Sequence, residues 1–295
     1  MRLTALLFAA AIVSSAQTPA PPGRLVDVGG YRVHLYCTGQ GSPPVLVVGA
    51  GFSFDWSLVQ PEIAELTTIC TYDVSGTAWS DAGPRLTCRA RVDEIRKLVR
   101  AAHLAEPPIL VGLSIGGCVA RLYAAEYPRG VLGMVLVDHA FRPDPDPDAK
   151  PGPASTKGFD TLPVLISRTP IQVTVEDASD FQRLPQRVQE LHRWAMSLNP
   201  KLPEWEDAQD CLDQLKQAAA GPFPLRDLPL AVVSTGNQSR GYERLQDQLL
   251  ALSRRSIHMI AERSFHSVEI DQPEVVVAAI RQIVERVRKK QVRGN

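Results

Sequence analysis

Ser114 stands in the run Gly112-Leu113-Ser114-Ile115-Gly116-Gly117, behind the apolar stretch at residues 108–111 and ahead of a helix-period segment at 118–127. A serine between glycines, at the end of a buried strand and the start of a helix, is the setting of a nucleophile elbow. The hydroxyl must leave the sheet on a sharp turn, and side chains at Gly112 and Gly116 would obstruct that turn. The helix that follows aims its first backbone N–H groups at the reacting centre, which favours negative charge developing there. The chemistry implied is nucleophilic attack by a serine.

Such a serine needs a base, and the chain offers six histidines. His34 lies in the alternating run 31–36, expected to be a half-exposed strand with a solvated ring. His103 closes a helix pattern, His192 falls in a polar helical stretch, and His258 sits inside an expected strand. His139 follows a strand end, next to Asp138. His266 differs from these, because it falls in a short loop between the strand with His258 and the last helix. That helix is expected to start at Asp271-Gln272-Pro273-Glu274, with aspartate as cap and proline in the first turn. A loop histidine at a strand's carboxyl end, late in an alternating chain, is the expected base.

The elements that must position these groups alternate. A hairpin turned at Gly29-Gly30 is followed by strands at 45–49, 68–72, 109–113, 131–138, 230–234 and 256–260. Helices are expected at 56–66, 89–103, 118–127, 242–252 and 273–288. Near-continuous Val/Ile/Leu strands separated by helices predict an α/β fold, a mostly parallel sheet covered on both faces. Ligands in such sheets collect at the carboxyl ends of the strands. Gly49, Asp73, Ser114, Asp138 and His266 all fall at such ends.

Further segments carry a resemblance: Cys37-Thr38-Gly39-Gln40-Gly41-Ser42-Pro43, Asp55-Trp56, Cys70-Thr71-Tyr72-Asp73, Trp79-Ser80-Asp81, Gly83-Pro84, Ala120-Arg121-Leu122-Tyr123-Ala124, Tyr127-Pro128 and Leu136-Val137-Asp138. Together with the serine motif and His266 they resemble the α/β-hydrolase superfamily, on the side of bacterial exported, single-domain, esterase- or lipase-like serine hydrolases. The motifs cover about residues 24–140 and 226–290. The resemblance implies an oxyanion hole made by the backbone N–H of Ile115 and a second N–H from the loop 49–52, with Ala50 preferred and Gly51 as the alternative. It also implies an acid for His266. The customary position after the strand at 230–234 carries Asn237, an amide, while Asp138 stands at the other position used by relatives. Asp138 is preferred, with Asn237 as a neutral orienter or another acid such as Asp247 left open. Asp73 is expected to hold the loop beside the oxyanion hole. Haloalkane dehalogenases and epoxide hydrolases of this fold need a carboxylate at position 114, which Ser114 disfavours. The fold would make Cys37 and Cys70 neighbours and so favours their pairing. Cys118 is expected to be a buried thiol, and Cys88 would pair with Cys211 only if the insertion reaches back to it.

Composition bounds the rest. With 295 residues and 44% hydrophobic content, one substantial core is expected. Lysine plus arginine and aspartate plus glutamate number 32 each, so no global field favours nucleic acid. Residues 1–16 read as a signal peptide: a basic residue, a short apolar run and small residues before Gln17. Residues 17–23 form a linker, 24–140 and 226–295 the two parts of the core, and 141–225 a cap insertion. The prolines at 143, 145 and 147 exclude helix and central strand at its start. Its apolar residues Phe181, Leu184, Leu191, Trp194 and Trp205 are expected to line a pocket or to form the insertion's own small core.

The reading is an exported serine hydrolase cleaving an ester-type carbonyl, with Ser114, His266 and Asp138 in the catalytic roles. It requires no metal or organic cofactor, and its partner is a small-molecule ester or acyl substrate. No nucleic acid or membrane span is expected, and the sequence leaves the oligomeric state open. Acyl transfer or amide cleavage on the same site, or a catalytically silent binding protein, are the other readings.

Overall fold

The computed structural model describes residues 18–49, 51–84, 87–104, 106–139, 180–198, 200, 205–218, 224–236 and 240–294. Eight strands form one sheet in the order β1-β2-β4-β3-β5-β6-β7-β8. They are β1 (Arg24–Asp27), β2 (Arg32–Thr38), β3 (Val45–Val48), β4 (Ile69–Tyr72), β5 (Ile109–Leu113), β6 (Gly133–Val137), β7 (Leu230–Thr235) and β8 (Ser256–Ala261). The β1–β2 and β2–β4 pairs are antiparallel, and every pair from β4 to β8 is parallel. The expected α/β architecture is therefore the observed one. Strands β3, β4, β5 and β6 are buried along their whole length, as apolar strands covered on both faces must be.

The helices are α1 (Gln60–Ala64), α2 (Cys88–Ala101), α3 (Ile115–Glu126), α4 (Gln186–Ser197), α5 (Trp205–Ala218), α6 (Arg240–Leu250), α7 (Val268–Asp271) and α8 (Pro273–Gly294). A 3-10 turn at Ser53–Leu58 and α1 replace the single helix expected at 56–66. One core lies between the sheet and α2, α3 and α5, with Val92, Ile95, Leu98, Val119, Leu122 and Leu215 buried in it. The other lies under α8, whose Val276, Ala279, Ile280, Ile283, Val284 and Val287 fall at helical spacing on one buried stripe. Burying each of these valine, leucine and isoleucine side chains contributes about 1.5–3 kcal/mol. Thr87 Oγ1 accepts the Ala90 N–H at 3.2 Å and so caps α2. The helix expected at 273–288 runs on to Gly294, and Arg288 ties it to the Ser42 and Leu66 carbonyls.

The described residues of the insertion expected between β6 and β7 fall into two groups. Helix α4 packs on the 3-10 turn that follows β3, whereas α5 packs on α2 and α3, away from that turn. Cys211 of α5 is bonded to Cys88 of α2, and Cys37 of β2 to Cys70 of β4, where the two residues are direct cross-strand partners. Cys118 is a buried free thiol. Residues 1–17 and 140–179, which include the expected signal peptide and the proline run, lie outside the described residues.

Candidate active site

Ser114, Asp138 and His266 follow the ends of β5, β6 and β8. Ser114 follows β5 with φ 53° and ψ −126°, a left-handed position that non-glycine residues rarely adopt, and it is the N-cap of α3. Its N–H is held by the Val137 carbonyl at 3.0 Å, which places the elbow beside the end of β6. The glycines around it have identifiable reasons. A Cβ at Gly112 would stand 2.6 Å from Gly117 Cα, and one at Gly116 only 1.8 Å from the Val48 carbonyl oxygen. The first helical turn therefore presses against both its own strand and the end of β3.

Asp138 follows β6 with φ 39°, its N–H held by the Val233 carbonyl at 2.8 Å. Its Oδ2 meets His266 Nδ1 at 2.6 Å, across 128 residues of chain. Its other oxygen, Oδ1, accepts the Tyr242 hydroxyl of α6. Both carboxylate oxygens are thus used, and Asp138 is 11% exposed against 42% for the His266 side chain. Partial burial pulls the His266 pKa down, but the hydrogen bond and charge of Asp138 outweigh it, and the imidazole lies above its ordinary 6.5. The Nδ1–H donated to a carboxylate leaves Nε2 as the basic nitrogen. Asn237, the other position considered for the orienter, lies outside the described residues, and Asp247 acts instead on His258.

The His266 loop is held by Asp271. The expected helix cap there is a different device, because Asp271 ends the one-turn α7 and α8 starts at Pro273. Asp271 Oδ2 accepts the Phe265 N–H and Oδ1 the Asp180 N–H, each at 2.8 Å, so one carboxylate joins this loop to the insertion.

The loop after β3 carries the second expected oxyanion donor. Ala50 lies outside the described residues, while Gly49 and Gly51 on either side lie within them. Asp55 Oδ2 accepts the Phe52 N–H at 2.9 Å, and Asp55 Oδ1 meets His192 Nδ1 of α4 at 2.9 Å. Asp73 Oδ1 accepts the Ser53 N–H at 2.7 Å and Asp73 Oδ2 meets His34 Nδ1 at 2.8 Å. Asp73 thus holds this loop, as expected. His34 overturns its expectation. It is fully buried, because the Trp79–Ser80 segment and the chain at Gly23 cover β2 there, and its Nε2 accepts the Gly23 N–H at 3.1 Å.

His192 was not recognised as a site neighbour by sequence, whereas the strand-end position of His139 points to the site. His192 is buried among the Phe52, Phe54 and Phe181 rings. The apolar residues of the insertion likewise join a shared core: Leu191 packs with Phe52 and Phe54, Trp194 with Trp79, and Phe181 and Leu184 with Ile270. The side chain of Trp205 lies outside the described part. His139 is fully enclosed behind the elbow, and burial together with the Arg121 charge pushes its pKa down to about 3 against the opposing Ser114 carbonyl. It is therefore neutral. Tyr242 was missed because it lies at the start of an ordinary helix pattern with no local motif. Among the described residues no His/Cys/Asp/Glu group is arranged to hold a metal ion, and no helix is long and apolar enough to cross a membrane.

Comparison with known proteins bears on the fold and the family. The chain is 25% identical over 252 residues to the uncharacterised protein YqjL of Bacillus subtilis (strain 168), covering 82% of this chain and 84% of that one. It is 28% identical over 134 residues to the 2-hydroxymuconate semialdehyde hydrolase of Pseudomonas sp. (strain CF600), covering 43% and 47% of the two chains. It spans only 43% and 52% of two longer relatives that it matches. Among solved structures, a thermophilic esterase from Thermogutta terrifontis superposes with a TM-score of 0.58 at 21% identity, over 87% of this chain and 94% of that one. The family profile described as the alpha/beta hydrolase fold matches residues 43–220, through the insertion that the sequence motifs do not reach. The chain belongs to the alpha/beta hydrolase fold family.

Proposed function

We propose that the protein is an exported serine hydrolase that cleaves an ester-type carbonyl substrate through an acyl-enzyme. Ser114 Oγ attacks the carbonyl carbon while His266 Nε2 takes its proton. The oxyanion is held by the backbone N–H groups of Ile115 and Ala50. His266 returns the proton to the leaving alkoxide, and the acyl group stays on Ser114. A water molecule then attacks the acyl carbon by the same route, releasing the acid and restoring Ser114. Asp138 keeps the proton on Nδ1 and stabilises the imidazolium.

The observation that carries this reading is the 2.6 Å bond between His266 Nδ1 and Asp138 Oδ2, made at strand ends beside a serine at positive φ. Esterases and hydrolases among the relatives and neighbours support it at the level of the family. Export is favoured by the leader-like residues 1–16 and by two cysteine pairs in bonding geometry.

The test is labelling with a fluorophosphonate, followed by peptide mass mapping and hydrolysis of p-nitrophenyl esters of increasing acyl length. The expected result is an adduct on Ser114 that His266→Ala abolishes. A folded protein without label on Ser114 and without esterase activity is the silent binding protein instead. Intact mass after expression with residues 1–16 is expected to show their loss.

A further inference from the structure

The peptide group that presents the Ile115 N–H, assigned to the oxyanion hole, has its carbonyl held from behind by a buried donor. The Ile115 N–H belongs to the Ser114–Ile115 peptide, and the Ser114 carbonyl of that peptide meets His139 Nδ1 at 2.9 Å. Arg121 Nη1 lies 3.1 Å from His139 Nε2. A guanidinium can only donate, so Nε2 is the acceptor and the ring proton sits on Nδ1, aimed at the Ser114 carbonyl. The Cys118 thiol, which burial keeps protonated by pushing it up to about 12, lies 4.0 Å from the same Nε2. On the other side, Arg91 Nη2 donates to the Gly49 carbonyl at 2.9 Å. Arg91 is 1% exposed, and its Nε and Nη1 have no hydrogen-bond partner among the described residues, so the bond to Gly49 is what anchors its head group.

We propose that His139, backed by Arg121, is a positioning residue of the oxyanion hole: it fixes and polarises, through the Ser114 carbonyl, the peptide group whose Ile115 N–H holds the developing negative charge. The inference rests on the assignment of Ile115 as an oxyanion donor. In a trans peptide the N–H points opposite to the C=O, so a donor that fixes the oxygen also fixes the hydrogen. Drawing electron density toward the oxygen makes the N–H a stronger donor, the cooperativity of hydrogen-bonded chains in a low-dielectric interior. Because these bonds exist before substrate arrives, no reorganisation is needed as charge develops.

Residues left without a role by the triad acquire one here. A Cβ on Gly117 would stand 2.4 Å from the His139 ring, so the second glycine of Gly116-Gly117 reserves the space for that imidazole. Arg121, in the Ala-Arg-Leu-Tyr-Ala segment, lies two helical turns into α3, where its guanidinium reaches the far side of the same ring.

The test compares His139→Phe, which keeps a ring but loses the donor, with His139→Asn, whose amide nitrogen falls near the position of Nδ1. Benzeneboronic acid, which forms a tetrahedral anionic adduct on serine, serves as transition-state probe. His139→Phe is expected to lower kcat about tenfold, less than the ~10²–10³ for loss of an oxyanion donor itself. Boronate affinity falls by the same factor, KM stays nearly constant, and His139→Asn recovers most of the loss. A folded His139→Phe with unchanged kcat and boronate affinity overturns the proposal. So does His139→Asn as impaired as His139→Phe, or equal losses in KM and boronate binding. If His139→Phe does not fold, the ¹⁵N spectrum of histidine-labelled wild type decides instead: a neutral Nδ1–H tautomer is expected, and an Nε2–H tautomer or an imidazolium at neutral pH refutes it. A wild type that lacks both label on Ser114 and esterase activity refutes the hydrolase reading, a result distinct from any of these.

Discussion

Replacing Asp138 by asparagine removes the charge beside His266 and keeps the shape, and the outcome depends on Tyr242. The Tyr242 hydroxyl donates to one carboxylate oxygen while the other takes the His266 Nδ1–H. In Asp138→Asn the amide must choose which end faces which partner. Keeping its oxygen toward Tyr242 preserves that hydrogen bond and turns the NH₂ toward Nδ1. The imidazole then carries its proton on Nε2, where it cannot accept one from Ser114. The preference is about one neutral hydrogen bond, ~1 kcal/mol, or roughly fivefold in population. Together with the lost charge, kcat should fall by about 10⁴, the figure for the same change in the Ser-His-Asp triad of serine proteases. Tyr242→Phe alone should cost less than about tenfold, because it removes one bond to a carboxylate that still faces His266. In the Asp138→Asn background the same Tyr242→Phe change should raise kcat about 2- to 5-fold, by freeing the amide to turn its oxygen to Nδ1–H. Steady-state hydrolysis of a p-nitrophenyl ester by the four proteins, each checked for folding by circular dichroism, measures this reversal of sign. Asp138→Asn within tenfold of wild type, or a Tyr242→Phe effect of the same sign in both backgrounds, would refute the tautomer argument.

Other predictions follow from the same geometry. Because His266 must be neutral to act as base and its pKa lies above 6.5, kcat/KM should fall as pH drops through a midpoint above that value, and the residual activity of Asp138→Asn should show the midpoint moved down. Gly117→Ala drives a methyl into the His139 ring and should lower stability by ~1–3 kcal/mol, read as a depressed denaturant midpoint at unchanged slope. The Cys88–Cys211 bond spans 123 residues, and removing it with Cys88→Ser and Cys211→Ser should destabilise by about 2–4 kcal/mol; a melting temperature equal to wild type would deny it a stabilising role.

Much of the fold was legible because its signals are local. The all-apolar runs of β3 and β5, the glycines around Ser114, and Pro273 in the first turn of α8 each act through neighbouring backbone. The insertion was harder. Helical periods are legible in it at 179–198 and 204–219, but nothing local says that α4 turns to the 3-10 turn after β3 while α5 joins α2 and α3. His34 was misjudged for a related reason. Alternation in β2 predicts which face a residue is on, but not that a loop and the chain at Gly23 cover that face.

The candidate site divides in the same way. Ser114 and His266 could be named from sequence because a strained turn and a strand-end loop demand particular residue types nearby. Asp138 was only preferred over Asn237, since two positions 99 residues apart in the chain serve the same purpose. Tyr242 on Asp138, Asp55 on His192, and the pairs behind the Ser114 and Gly49 carbonyls had no sequence signal at all. Local sequence determined which turns, caps and strands this chain makes, because those depend on backbone sterics and hydrogen bonds within a few residues. Only the tertiary structure decided which polar groups meet, because a buried donor must find an acceptor wherever packing brings one, and packing joins residues that are distant in the chain.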